Sequence, residues 1–291
     1  MIMKNLFLIF LIPFLFSNCN NIPNNTTPTE NNTSTNSLDI SKEETENNPP
    51  SLTPKMSSDL TIEQYNILKE LIESMVYIKG GTFTMGVTSR TYSKNDNTSA
   101  DVTMNDFYIG KYEVTEKQWQ IVMGKRVSVF DPNTPVCYIS WDDCQAFIEK
   151  LRNLTGINFD LPTEAQWEYA ARGGNKSKNY IYSGSNNPDN VAWYRDNSRV
   201  EGGLGRVIRK VGLKRPNELG LYDMSGNVAE WCNYNSDSLI NITKTGHEIL
   251  HIHRGGSYRD NLDNVQVTKS NSERSDLINM DIGLRLAVSI F

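Results

Sequence analysis

Asp223 and Glu230 are hard carboxylates seven residues apart, with a Gly226-Asn227 turn between them. A turn can aim backbone carbonyls at the point where two carboxylates converge. Oxygen-only ligation of that mixed kind suits Ca²⁺. The same two side chains could instead cap backbone amides and pair with Arg254 or Arg285, whose guanidinium forks match carboxylates bidentately. A second candidate for metal chemistry is His247, His251 and His253 in HEILHIH. On a strand His251 and His253 share one face, although polar residues at a strand or loop edge are the simpler reading. Beyond Cys19 the thiols are Cys137, Cys144 and Cys232, with no CxxC pair. They read as small buried hydrophobes rather than a redox or metal site.

The C-terminal stretch 254–287, RGGSYRDNLDNVQVTKSNSERSDLINMDIGLRLA, is organised differently. RGGS, VQV and IGLRLA are anchors, and the residues between them are polar. Anchors that hold a backbone while the intervening side chains are free make a recognition surface, because loops on a rigid scaffold carry function. A catalytic centre needs a few fixed groups instead. Tyr258 starts the polar stretch and is an expected ligand anchor, since aromatics are favoured at binding hot spots. Arg254 and Arg285 frame the stretch and read as structural. Trp141, Trp167, Trp193 and Trp231 read as core aromatics.

These groups need elements to position them. The chain has 291 residues and a formal net charge of −5, which argues against nucleic acid as a partner. Residues 1–18 read as a signal peptide: Lys4, then the apolar run Leu6–Phe16, too short to span a bilayer. Cys19 follows at once, in a pattern resembling a bacterial lipobox, so it is the expected lipidation site. Residues 19–58, rich in Asn, Thr, Ser and Pro, read as a lipidated, disordered tether. Contact with a membrane is expected through this lipid anchor only.

Residues 59–75 carry apolar residues at helical spacing and predict a lead-in helix capped by Ser58 or Asp59. The domain then runs over 76–291. MVYIKGGTFTMG reads as an alternating strand with a Gly-Gly turn, and DFYIGKYEVT (106–115) as another strand. Helices are predicted after Thr115 (through Met123), after Ser140 (closed by Gly156) and after Thr163 (closed by Gly173). Few long helices and much loop predict an α+β domain, with no sign of coiled-coil assembly and a monomer as the expected state.

Read in order, MVYIKGGTFTMG (75–86), YIGKYEVTEKQW (108–119), PVCYISWDDCQAFIEKL (135–151), LPTEAQWEYAARGG (161–174), NELGLYDMSGNVAEWC (217–232), RGGSY (254–258) and IGLRLA (282–287) resemble the formylglycine-generating-enzyme, or sulfatase-modifying-factor, family. That resemblance implies a loop-rich C-type lectin fold with short helices and small antiparallel sheets. The family's enzymes oxidise a substrate cysteine with copper held by two cysteines that follow RGGSY. The equivalent positions here are Asp260 and Val265, and neither is a soft thiolate ligand for copper. The expectation is therefore no copper and no enzyme. The helical histidine motif of the family's iron branch is also missing.

The resemblance also implies structural calcium at Asp223, Gly226, Val228 and Glu230. The branch fitting best is that of the variable proteins of diversity-generating retroelements. In that branch Arg259, Asp260, Asn261, Asp263, Asn264, Lys269, Asn271, Ser272, Glu273, Asn279, Met280 and Asp281 occupy diversified slots within a fixed framework. The function this implies is a non-catalytic lipoprotein of the outer membrane or cell surface. It would display a diversified surface to an unknown protein or glycan ligand on host or neighbouring cells. The alternative is a structural lipoprotein of the envelope or a secretion apparatus built on the same inactive fold.

Overall fold

A computed structural model describes residues 49–86, 99–128, 130–203, 205–233 and 250–290. The expected signal peptide, Cys19, the tether up to residue 48 and His247 lie outside the described residues. The last ten residues of the expected tether, 49–58, do not hang free. Lys55 and Ser57 donate backbone N–H groups to Thr155 O and Leu154 O at 2.7 and 2.9 Å, and Leu52 and Met56 pack against the core. Two apolar side chains in a polar run were enough to dock it.

Four α-helices follow the capping signals. α1 (Ile62–Glu73) is capped by Thr61, with Gln64 closing the reciprocal capping box, rather than by Ser58 or Asp59. α2 (Glu116–Met123), α3 (Trp141–Thr155) and α4 (Glu164–Ala171) start at Thr115, Ser140 and Thr163, each a complete capping box. Gly156 ends α3 in the left-handed conformation, φ 69°, which costs a residue without Cβ little.

The strands form three small sheets. β1 (Met75–Ile78) and β2 (Gly81–Met85) divide at the expected Gly-Gly turn and go to different sheets. β1 pairs with β4 (Phe107–Gly110), which pairs with β9 (Ala287–Ser289); both ladders are antiparallel. β2 forms a hairpin with β3 (Ala100–Met104). The third sheet has the order β7 (Ser270–Arg274), β6 (Leu250–Arg254), β5 (Ala229–Trp231), β8 (Ile282–Leu284), with β5–β8 parallel.

One core lies between α1, α2, α3 and the β5–β8 pair, and includes Phe147, Trp231, Ile282 and Leu284. A second surrounds Trp167, Tyr169 and Phe107. Cys144 and Cys232 are free thiols buried in these two cores and Cys137 is one buried in a smaller cluster, as expected of small hydrophobes.

Candidate ligand-binding surface

Residues 254–287 supply β7, which carries Asn271, Ser272 and Glu273, and β8, which carries Ile282, Gly283 and Leu284 of the framework, with loops around them. Arg254 ends β6 and is buried. It pairs with Glu168 on α4, and its Nε stands 3.6 Å from Glu164 Oε1. Glu168 also accepts from Arg172 Nε at 2.7 Å. Gly256, at φ 63°, lies so close to the Asn264 carbonyl that a Cβ there would stand 2.5 Å from its oxygen. That approach folds the RGGS turn onto the VQV anchor. Val265 and Val267 are buried in two different clusters. Ile282, Leu284, Leu286 and Arg285 are buried as well.

The polar positions face the other way. Arg259, Asn261, Asp263, Lys269, Asn271, Ser272 and Met280 are exposed, and Asp260, Asn264, Glu273, Asn279 and Asp281 are half-buried. Several of the half-buried group also brace the loop. Asp260 Oδ2 accepts from Ser257 N at 2.8 Å, and Asn264 Nδ2 donates to Asp260 Oδ1 at 3.3 Å. Ser257 Oγ stands 2.9 Å from Asp260 Oδ2 and 3.0 Å from Asp281 Oδ2, joining the two ends of the segment. Burial holds the Asp281 carboxyl above the usual carboxylate range.

Tyr258 is not a surface anchor. Its ring belongs to a buried cluster with Cys137, Ile208 and Val228, and Phe130 packs against it. Its backbone oxygen accepts from Ser198 Oγ at 2.6 Å. The framework turns this side chain inward, where a large apolar ring gains most by burial. The exposed apolar groups at this edge are instead Leu277, Ile278 and Met280, with Tyr138 from outside the segment. Tyr138 adopts φ 60°, an uncommon conformation for a bulky residue, and its N–H donates to Asn279 O at 3.0 Å. Sequence reasoning dwelt on the polar slots and passed over Leu277 and Ile278. Their apolar type inside a polar run was the available signal.

Of the four positions read as calcium ligands, Glu230 is committed to other partners and Asp223 keeps one oxygen free among the described residues. Glu230 is fully buried with both oxygens engaged: Arg285 Nη2 donates to Oε1 at 2.7 Å, Arg285 Nε to Oε2 at 2.9 Å, and Trp167 Nε1 to Oε2 at 2.7 Å. A divalent cation there would have to displace a buried guanidinium. Asp223 Oδ2 accepts from Gly212 N at 2.7 Å, while Oδ1 has no hydrogen-bond partner among the described residues. Burial raises the Asp223 carboxyl to about 6, so at pH 7 it is largely ionised although one of its oxygens has no partner.

Glu113 joins the same buried cluster through Val228 N and Asn227 Nδ2, at 3.1 and 2.8 Å. Burial, and then the charges of Asp223 and Glu230, push it well up. The alternative left open by the sequence, amide capping by Asp223 and an Arg285 partner for Glu230, describes this geometry.

The two strand histidines are not arranged for metal either. Among the described residues no group of three or more His, Cys, Asp or Glu side chains could hold a metal ion. His251 stacks on Trp141, with ring centroids 3.9 Å apart, and His253 meets Trp231 edge-on. Burial lowers His253 to about 4, so it is neutral in the fold at pH 7. Trp167 and Trp231 are core residues as expected. Trp141 and Trp193 are only half-buried.

Comparison with known proteins agrees with this architecture. Residues 66–290 match the family model described as the sulfatase-modifying factor enzyme 1-like domain. The chain is 34% identical over 263 residues to the chaperone protein LppX of Paenibacillus barcinonensis, covering 75% of this chain and 90% of that one. It is 31% identical over 188 residues to the formylglycine-generating enzyme of Streptomyces coelicolor, covering 58% and 57% of the two chains. Among solved structures, Treponema denticola variable protein 1 superposes with a TM-score of 0.60 at 27% identity, over 74% of this chain and 94% of that one.

Proposed function

From the premise that this chain belongs to the sulfatase-modifying-factor family, we propose that it is a non-catalytic member, a surface lipoprotein whose segment 254–287 forms a diversified ligand-binding surface. The observation that carries this reading is the sorting of the segment: framework residues are buried, and the diversified slots are exposed or half-buried. The exposed slots are free of the core, so substitutions there cost the fold little, whereas Asp260, Asn264 and Asp281 also brace the loop. The likeness to Treponema denticola variable protein 1 supports it.

The positions where the family's enzymes carry copper cysteines are Asp260, which braces the RGGS turn, and Val265, which is buried. Neither offers a thiolate. The protein is accordingly expected to bind no copper and to oxidise no cysteine peptide. The partner is an unknown protein or glycan, and the anchor is the lipid at Cys19.

Sequencing the 3′ end of the gene and its flank across many clones tests the reading. Substitutions concentrated at 259–263, 269–273 and 279–281, with RGGS, VQV and IGLRLA constant, are the expected result. An invariant segment with no near-copy template alongside would sink it.

A second reading rests on the 34% identity to the chaperone protein LppX across nine-tenths of that chain's length. In it the same fold serves a client or an assembly partner in the envelope, and the contact surface need not be 254–287. In-cell cross-linking that captures a partner with segment 254–287 invariant would favour it.

A further inference from the structure

The chain carries a net charge of −5, but the charges are unevenly distributed. Between Arg195 and Arg215 seven Lys and Arg side chains stand against two carboxylates, Asp196 and Glu201. Two of the guanidinium groups are pinned by backbone carbonyls. Arg206 Nε donates to Arg195 O at 2.9 Å, and Arg209 Nη2 to Arg199 O at 3.0 Å. A bridge between Arg199 and Arg206 holds those two backbones side by side.

Carbonyl anchors fix the cationic heads without neutralising them. Lys210 pairs with Asp131 at 2.9 Å, and Arg195 stands 3.9 Å from Asp196. Among the described residues, Arg199, Arg206 and Arg209 have no carboxylate at ion-pair distance. Lys214 Nζ lies 4.0 Å from the Trp193 ring centroid and Arg209 Cζ lies 5.1 Å from it. Burial lowers the Lys214 ammonium, the Asp189 and Asp223 carboxylates oppose this, and the neighbouring Arg209 charge adds to it. Like charges have been gathered here at an electrostatic cost, which an incoming anion would relieve.

We propose that this basic surface, which lies outside residues 254–287, binds a polyanionic polysaccharide through its sulfate or carboxylate groups. Guanidinium forks match such oxyanions bidentately, and heads already pinned lose little freedom on binding. A polysaccharide fits better than an acidic protein. The core of a protein interface is built around apolar and aromatic anchors; here the ring of Trp193 is already occupied by Arg209 and Lys214, and the exposed apolar side chains are two aliphatic ones, Val200 and Leu213, among seven cations. A regular polyanion needs only cations along its path.

The basic surface adjoins the start of the variable segment: Arg195 N donates to Asp260 O at 2.9 Å, and Ser198 Oγ to Tyr258 O. A polysaccharide held there would concentrate the protein beside whatever the segment reads. The inference goes beyond the display function and does not depend on it.

Full-length protein in detergent would be passed over immobilised heparin, with desulfated heparin and a polyglutamate peptide as competitors. Wild type is expected to be retained at physiological ionic strength, about 0.15 M, and to elute as salt rises. The triple variant Arg195→Gln, Arg199→Gln, Arg206→Gln is expected to bind about tenfold more weakly with a shallower salt dependence. The triple lysine variant at the same positions should keep most of the binding. Replacing Asn261, Asp263 and Lys269 by Ala should leave retention unchanged, so a failure of the display reading would show separately.

Absence of retention, equal binding by the glutamine variant, or stronger competition by polyglutamate than by desulfated heparin would overturn the proposal. If the glutamine variant loses its melting transition, the salt dependence and competition of the wild type decide.

Discussion

Arg285 and Glu230 form a bidentate ion pair with no solvent access, and the guanidinium also donates to Gly110 O and Tyr222 O at 2.8 Å each. The pair ties the C-terminal framework to β5, to the end of β4 and to the loop before β5 that carries Tyr222. It also occupies the carboxylate that the family resemblance would give to calcium. Removing one partner of such a pair strands a buried charge, which typically costs 3–5 kcal/mol. Glu230→Gln should therefore destabilise by about 3 kcal/mol or more, read as a lower urea midpoint with an unchanged slope. A loss under about 1 kcal/mol would mean that the pair is solvated.

Calcium addition should leave the melting temperature of the wild type where it is, because both Glu230 oxygens are engaged. A ligand that bound the native state alone at a hundred times its dissociation constant would add about 2.7 kcal/mol. A clear upward shift with millimolar calcium, abolished by chelator, would restore the cation reading for Asp223, Gly226, Val228 and Glu230.

Asp223 gives a pH dependence of defined sign. Its folded carboxyl titrates near 6, against 3.8 for the ordinary group. Between those values the native state holds a proton that the unfolded chain has released. Stability from this group therefore falls as pH rises from about 4 to 6, and the penalty persists above that. Asp223→Asn keeps an acceptor for Gly212 N and suits the left-handed backbone at φ 57°. The variant should gain about 1–3 kcal/mol relative to wild type at pH 7 and nothing at pH 3. Equal stabilities at both pH values would refute the assignment.

His253 acts with the opposite sign. Burial lowers it from 6.5 to about 4, so over that window the unfolded chain binds the extra proton and stability is lost on acidification. His253→Phe should flatten the acid side of the stability profile between pH 6.5 and 4. An unaltered profile would show that the ring is hydrated.

The segment's two faces should separate by mutation. Val265→Ala or Tyr258→Ala removes buried contacts and should cost about 2–4 kcal/mol. Alanine at Arg259, Lys269 or Asn271 should stay within about 0.5 kcal/mol of wild type while changing what the protein binds. A large loss of stability at the exposed positions would contradict the separation of fold from display.

Local chemistry was the legible part of the sequence. Thr115, Ser140 and Thr163 with Gln118, Asp143 and Gln166 specify helix starts within four residues, and the structure uses all three boxes. The buried spacing of VQV and IGLRLA likewise needs only the chain's own pattern to be read as framework. The family was carried by motifs spread over residues 75–291, and it brought the fold with it.

Tertiary structure decided what local pattern could not, because it depends on which distant side chains meet. Tyr258 is polar-tipped and begins a polar run. Only the arrival of Cys137, Ile208 and Val228 from elsewhere in the chain makes its site a core. Glu230 and Asp223 look alike as oxygen ligands in the sequence; the fold brings Arg285 within 2.7 Å of Glu230 and buries Asp223, raising its carboxyl to about 6. Residues 49–58 have a disordered composition, yet two backbone hydrogen bonds and two apolar side chains dock them on α3 and the core beside it. Sequence thus determined the helix starts, the framework and the family. Burial and long-range pairing, which depend on the whole fold, decided which of its polar groups stay free for a ligand.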